Sequence, residues 1–130
     1  MSFSILVVDD EPDIAELFRQ RFRREMRDGS YVLHFSSSGE EGLRRLREIR
    51  SELIVILSDI NMPGMDGLEL LRRTKELRPE LPVLIMTAYA DDERRQRAAT
   101  LGAAAFLAKP IDFAELKARL AALTGGAASG

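Results

Sequence analysis

Five side chains stand out because together they could carry phosphoryl chemistry: Asp9, Asp10, Asp59, Thr87 and Lys109. Three carboxylates crowded into one place repel, and their ionised forms are mutually disfavoured. A hard divalent cation relieves that. Mg2+ prefers oxygen ligands, keeps several waters, and usually takes one or two carboxylates plus phosphate oxygens. Such a cation screens the approach of an anionic phosphoryl donor to an anionic nucleophile and neutralises charge in the transition state. A carboxylate oxygen is itself a nucleophile for phosphoryl groups. Lysine adds a second positive charge, and a threonine hydroxyl can donate to a phosphoryl oxygen. Each group also has a plainer reading. Asp9 and Asp10, ahead of Glu11 and Pro12, would suit a helix N-terminus. Asp59 could be a loop aspartate, Thr87 a strand residue or cap, and Lys109, before Pro110, a turn lysine.

The joint reading gains its weight from the elements that must position these groups. Phe3 to Val8 is a short apolar run ending at Asp9, and Pro12 suits the first turn of a helix. Ile14, Leu17, Phe18, Phe22 and Met26 then form one helical stripe. Tyr31 to Phe35 reads as a second strand, followed by a helix opening at Ser38-Gly39-Glu40 with Leu43, Leu46 and Ile49 on one face. Leu53 to Leu57 is a third strand, and 61–67 is a loop rich in Gly, Pro and Asp. A helix over Leu68 to Leu77 ends before Pro79 and Pro82, and Val83 to Met86 is a fourth strand. Asp91 can cap a helix that stops at Gly102. Ala104 to Leu107 is a fifth strand, and Phe113, Leu116, Leu120 and Leu123 stripe a last helix.

Five strands alternating with five helices imply a parallel sheet covered by helices on both faces. Strands one, three and four are apolar without period two, as double-sided burial requires; the second, with His34, reads as an edge. In such a sheet ligands bind outside the carboxyl ends of the strands, where strand order reverses. Asp9 and Asp10, Asp59, Thr87 and Lys109 all fall at or just past strand ends, so four strands deliver acid, hydroxyl and cation to one edge.

The bulk properties fit one compact domain. The chain has 130 residues, 45% of them hydrophobic and 31% charged, with a net charge of −2. That charge gives no reason to expect direct nucleic-acid or membrane binding. The absence of cysteine excludes disulfides and thiolate chemistry. No apolar run reaches transmembrane length, and the N-terminus lacks a basic segment ahead of its apolar run, so the expected location is the cytoplasm. Residues 1–123 read as the domain, with 124–130 a small-residue flexible tail or the start of a linker.

The segments ILVVDDEP (5–12), SDINMPGMDG (58–67), LIMTAYA (84–90) and AAFLAKPID (104–112) together resemble the receiver domains of bacterial two-component response regulators, over residues 4 to about 123. The resemblance implies a flavodoxin-like doubly wound (βα)5 fold with strand order 2-1-3-4-5. It implies that Asp59 is the phosphoacceptor for a histidine kinase or histidine phosphotransfer protein. Asp10 would bind Mg2+ (or Mn2+) directly, with Asp59; Asp9 would act mainly through a metal-bound water, and Asn61 through its backbone carbonyl. Thr87 would be the switch hydroxyl and Lys109 the phosphoryl-contacting cation, with a cis bond to Pro110. Phe106 falls where the family places a rotating aromatic, often Tyr. Asn61 and Tyr89 would tune how readily water reaches the aspartyl phosphate, Tyr89 being bulky enough to shield it. The expected protein is a signalling receiver that mediates its own phosphorylation and slow dephosphorylation. Its output, a partner or a fused domain, is not specified, and a homodimer through the fourth and fifth helices is an option the family uses.

Other features carry less. His34, the one histidine, reads as structural. Arginines 19, 21, 23, 24 and 27 read as a solvated face, with a docking surface for an acidic partner as the alternative. Met62 and Met65 are expected to pack at the rim of the sheet. A phosphatase of the haloacid-dehalogenase type would need a second aspartate where Asn61 stands. A pure interaction scaffold would have no use for the complete polar set.

Overall fold

The computed structural model describes residues 3–49, 53–88 and 91–124. Five strands, β1 (Phe3–Val8), β2 (Tyr31–Ser36), β3 (Leu53–Asp59), β4 (Val83–Thr87) and β5 (Ala105–Ala108), form one sheet in the order β2-β1-β3-β4-β5. All four pairings are parallel. The chain moves outward from β1 to the edge strand β2, then returns past β1 to β3. The order therefore reverses between β1 and β3, and their carboxyl ends carry Asp9 and Asp59.

The helices are α1 (Pro12–Arg21), α2 (Arg23–Arg27), α3 (Gly39–Glu48), α4 (Gly67–Leu77), α5 (Asp92–Thr100) and α6 (Phe113–Leu123). The first helical segment, expected as one continuous stripe to Met26, is divided. Phe22 departs from helical geometry at φ −106 and ψ 17. Its ring is fully buried, stacked 5.8 Å from Phe18 and edge-on to Tyr31 and Phe113. Tertiary ring packing thus overrides helix continuity there, and Met26, beyond the break, is 37% exposed. The expected fourth and fifth helices are accordingly α5 and α6.

Four helices start on a side-chain cap. Ser38, Asp66, Asp91 and Asp112 accept from the backbone N–H groups of Glu41, Glu69, Arg94 and Glu115 at 3.1, 2.9, 2.7 and 3.1 Å. Each cap satisfies an otherwise orphaned donor and contributes about 1 kcal/mol.

The apolar strands alternate after all, but between two cores. Leu6, Val8, Ile56, Val83 and Ile85 face α3, α4 and α5 through aliphatic side chains. Ile5, Val7, Val55, Leu57 and Leu84 face α1 and α6, where Phe18, Phe22 and Phe113 interlock. Residues 125–130, most of the expected tail, lie outside the described residues.

Candidate functional site at the carboxyl edge of the sheet

The strand ends bring the acidic residues together. One oxygen from each of Asp9, Asp10 and Asp59 lies within 4.8 Å of the others. Asp9 and Asp59 are buried at 7% and 5% exposure, whereas Asp10 is open to solvent. Local backbone fixes the two buried carboxylates. Asp9 Oδ1 accepts from the Glu11 N–H at 2.9 Å, and Asp59 Oδ1 accepts from the Ile60 N–H at 2.9 Å.

Lys109 closes the cluster from β5. Its Nζ lies 2.7 Å from Asp9 Oδ2, 3.5 Å from Asp59 Oδ1 and 3.6 Å from Glu11 Oε1. Its backbone N–H donates to the Thr87 carbonyl at 2.8 Å, which ties the ends of β4 and β5. The Lys109–Pro110 peptide bond is cis. Thr87 itself is fully buried at the end of β4.

The electrostatics follow from the crowding. Burial, reinforced by the neighbouring Asp9 charge, raises the Asp59 pKa above the ordinary carboxylate range; Lys109 and the backbone donors of Ile60 and Asn61 offset only part of this. Burial works against the Lys109 charge, but the hydrogen bond to Asp9 and the charges of Asp9, Asp59 and Glu11 outweigh it and raise its pKa. One ammonium therefore serves several carboxylates, two of them buried. The donor set is all oxygen, partly open through Asp10, and short of positive charge, which fits a hard divalent cation such as Mg2+.

The loop after β3 is held in a tight return. The Gly67 N–H donates to the Ile60 carbonyl at 3.0 Å, and a Cβ on Gly67 would stand only 2.1 Å from the Asp59 carbonyl oxygen. Only glycine permits that approach, and Gly64 adopts a φ of +75 within the same loop. Met62 is buried and Met65 half-buried against the aliphatic core, as their rim position suggested.

The remaining singled-out residues occupy distinct places. Asn61 is exposed at the mouth, where its Oδ1 accepts from Arg94 Nη1 at 2.7 Å. Phe106 on β5 is half-buried against the aliphatic core, with the Arg95 guanidinium 4.9 Å from its ring centroid. Tyr89 lies outside the described residues. His34 sits on β2 between Ser4 Oγ (3.2 Å) and Arg45 Nη2 (2.8 Å), a structural role in the edge strand. In the arginine run, the Arg19 guanidinium lies over Phe35 and that of Arg21 over Phe113. Sequence reasoning passed over Glu11, Gly67 and Arg94 as site residues. The first two sit inside quoted motifs and were within reach; Arg94 reaches the site only through the packing of α5.

A doubly wound sheet with three clustered carboxylates, a buried hydroxyl and a lysine at its switch-point edge defines a class of acidic, oxygen-ligand sites suited to phosphoryl chemistry. The response regulator receiver domain profile matches residues 5–121, and the chain belongs to that family of two-component signalling domains. It is 34% identical over 119 residues to the two-component response regulator PhoP of Pseudomonas aeruginosa, covering 92% of this chain and 50% of that protein. It is also 34% identical to sporulation initiation phosphotransferase F of Bacillus subtilis, covering 90% of each. Among solved structures, the response regulator TrrA of Thermotoga maritima, in complex with Mg2+ and BeF, is similar at 30% identity and a TM-score of 0.78, covering 93% of this chain and 98% of that one. The chain spans about half the length of the first curated relatives it matches. Among the described residues no helix is long and apolar enough to cross a membrane.

Proposed function

We propose that Asp59 is the phosphoacceptor of this receiver domain and that Mg2+ (or Mn2+) is its cofactor. The observation that carries this reading is the cluster of Asp9, Asp10 and Asp59 within 4.8 Å, bridged by Lys109 at 2.7 Å from Asp9 and 3.5 Å from Asp59. Asp9, Asp10, Asp59 and the Asn61 carbonyl would hold the cation, which supplies charge neutralisation for phosphoryl transfer when bound. An Asp59 carboxylate oxygen attacks phosphorus. The bond to the donor breaks, and its electron pair leaves with the donor, the imidazole nitrogen of a histidine kinase or histidine phosphotransfer protein. Lys109 stabilises charge on the phosphoryl oxygens, and the Thr87 hydroxyl donates to one of them after transfer.

The switch follows from that last contact. Thr87 moves toward the phosphoryl group and Phe106 follows, altering the face made by α5, β5 and α6. Moving the population from mostly off to mostly on needs roughly 5.5 kcal/mol of differential stabilisation. Asn61 and Tyr89 set the lifetime of the phosphorylated state, Tyr89 by shielding. The changed face engages an output partner or domain in the cytoplasm, or a second copy of the chain.

The test is intact-mass spectrometry after incubation with acetyl phosphate and Mg2+. One added phosphoryl group, absent in Asp59→Asn and absent without Mg2+, is the expected outcome. No adduct, where a control receiver is labelled, would remove Asp59 from this role.

A further inference from the structure

A side-chain link joins the mouth of the site to α5, and the acid cluster does not explain it. Arg94, in the first turn of α5, reaches across to the loop after β3 and donates from Nη1 to Asn61 Oδ1 at 2.7 Å. The guanidinium is steadied from behind, because its Nε lies 3.6 Å from Asp91 Oδ2. Asp91 is in turn fixed by capping α5, accepting from the Arg94 backbone N–H at 2.7 Å. The arginine is therefore held at both ends, and Asn61 is pinned to α5. Asn61 lies two residues beyond Asp59, so the pinned residue belongs to the same strand-end loop as the reacting carboxylate.

From this geometry we infer that Arg94 is a positioning residue that prolongs the aspartyl phosphate by restraining Asn61; the inference rests on Asp59 being the phosphoacceptor. In hydrolysis, a water oxygen forms a bond to phosphorus and the bond from phosphorus to the Asp59 oxygen breaks. The electron pair returns to the carboxylate, and both water protons leave with dihydrogen phosphate. An amide oxygen at the mouth can hold that water by accepting one of its protons in a hydrogen bond. Arg94 occupies the Asn61 oxygen and draws it toward α5. Lysine would keep the charge but lose the planar donor held by Asp91 and Asn61 together.

The experiment labels the protein with acetyl phosphate and Mg2+, removes the donor, and follows loss of the phosphoryl group by intact mass. It compares wild type, Arg94→Ala, Arg94→Lys, Asn61→Ala and the Arg94→Ala/Asn61→Ala double variant. The expected result is decay about fivefold faster in Arg94→Ala, the size appropriate to one charge-assisted hydrogen bond. Arg94→Lys should be intermediate, and Arg94→Ala should add nothing once Asn61 is alanine. Unchanged decay in Arg94→Ala overturns the inference. So does an equal acceleration in the Asn61→Ala background, since that would place the effect in α5 as a whole. Circular dichroism melts of each variant identify any loss through unfolding, and Arg94→Lys then decides. Absence of label on wild type would bring down the phosphoacceptor reading itself, an outcome distinct from labelled protein whose decay ignores Arg94.

Discussion

The interior of the sheet and its carboxyl edge are built on opposite terms. In the interior, apolar burial on both faces of the sheet stabilises the fold. Phe18, Phe22 and Phe113 interlock on one face, and Leu6, Ile56, Leu70 and Leu71 are fully or almost fully buried on the other. At the edge, a few ångströms further along the same strands, Asp9 and Asp59 are equally buried, yet their charges oppose one another. The edge thus gives up folding stability to hold like charges together, as the proposed cation and phosphoryl site requires. A relaxed, fully neutralised pocket would have no excess affinity for a cation or a phosphoryl group.

That contrast can be broken or sharpened by four changes. The largest effect is expected from Phe22→Ala, which removes a fully buried ring touching Phe18, Tyr31 and Phe113. A loss of about 3–5 kcal/mol in urea unfolding, with or without Mg2+, is the expected signature of pure core. Next comes Lys109→Ala, which leaves Asp9 and Asp59 without their shared cation. The expected loss is about 3 kcal/mol in EDTA, and Mg2+ should restore much of it, unlike the Phe22 case. Mg2+ itself should raise wild-type stability by about 2.7 kcal/mol at a hundredfold excess over its Kd. If metal rescued Phe22→Ala as well, the two regions would not be separable.

Gly67→Ala should cost about 2 kcal/mol, since its Cβ would collide with the Asp59 carbonyl and force the loop to move. A matching loss of Mg2+ affinity by calorimetry would show that the loop return positions Asp59. The smallest change should have the opposite sign. Asp59→Asn removes a buried charge and is expected to raise the urea midpoint in EDTA at neutral pH. Because the Asp59 pKa is raised in the fold, the wild type should lose stability as pH climbs from the ordinary carboxylate range through that raised value. The Asn variant should lack this slope. The Lys109 pKa is raised as well, so the stability from its pairing should persist until the pH passes that raised value. A destabilised Asn variant in EDTA would mean that the carboxylate is structural and not held in tension.

The sequence reading located nearly all of this edge, because strand ends are legible where an apolar run stops at a charge. Val8 directly before Asp9 is such a place, and Leu57 ends its run two residues before Asp59. It did not anticipate the break at Phe22. A helical stripe records which residues want burial, but only the positions of Tyr31 and Phe113 decide where the backbone must yield. Likewise Arg94 looks like one more surface arginine, since nothing local joins it to Asn61, 33 residues away.

By itself the sequence determined the alternation of elements, the cap at Asp91, and the chemical types gathered at the strand ends. These depend on neighbours within a turn or a strand. Tertiary structure alone decided which of Leu6 and Val7 faces the aliphatic layer and which the aromatic one. It also decided that a single lysine from β5 would reach the carboxylates at the ends of β1 and β3. In a strand buried on both faces the apolar pattern carries no side, and contacts across 100 residues form only when the sheet closes in its own order.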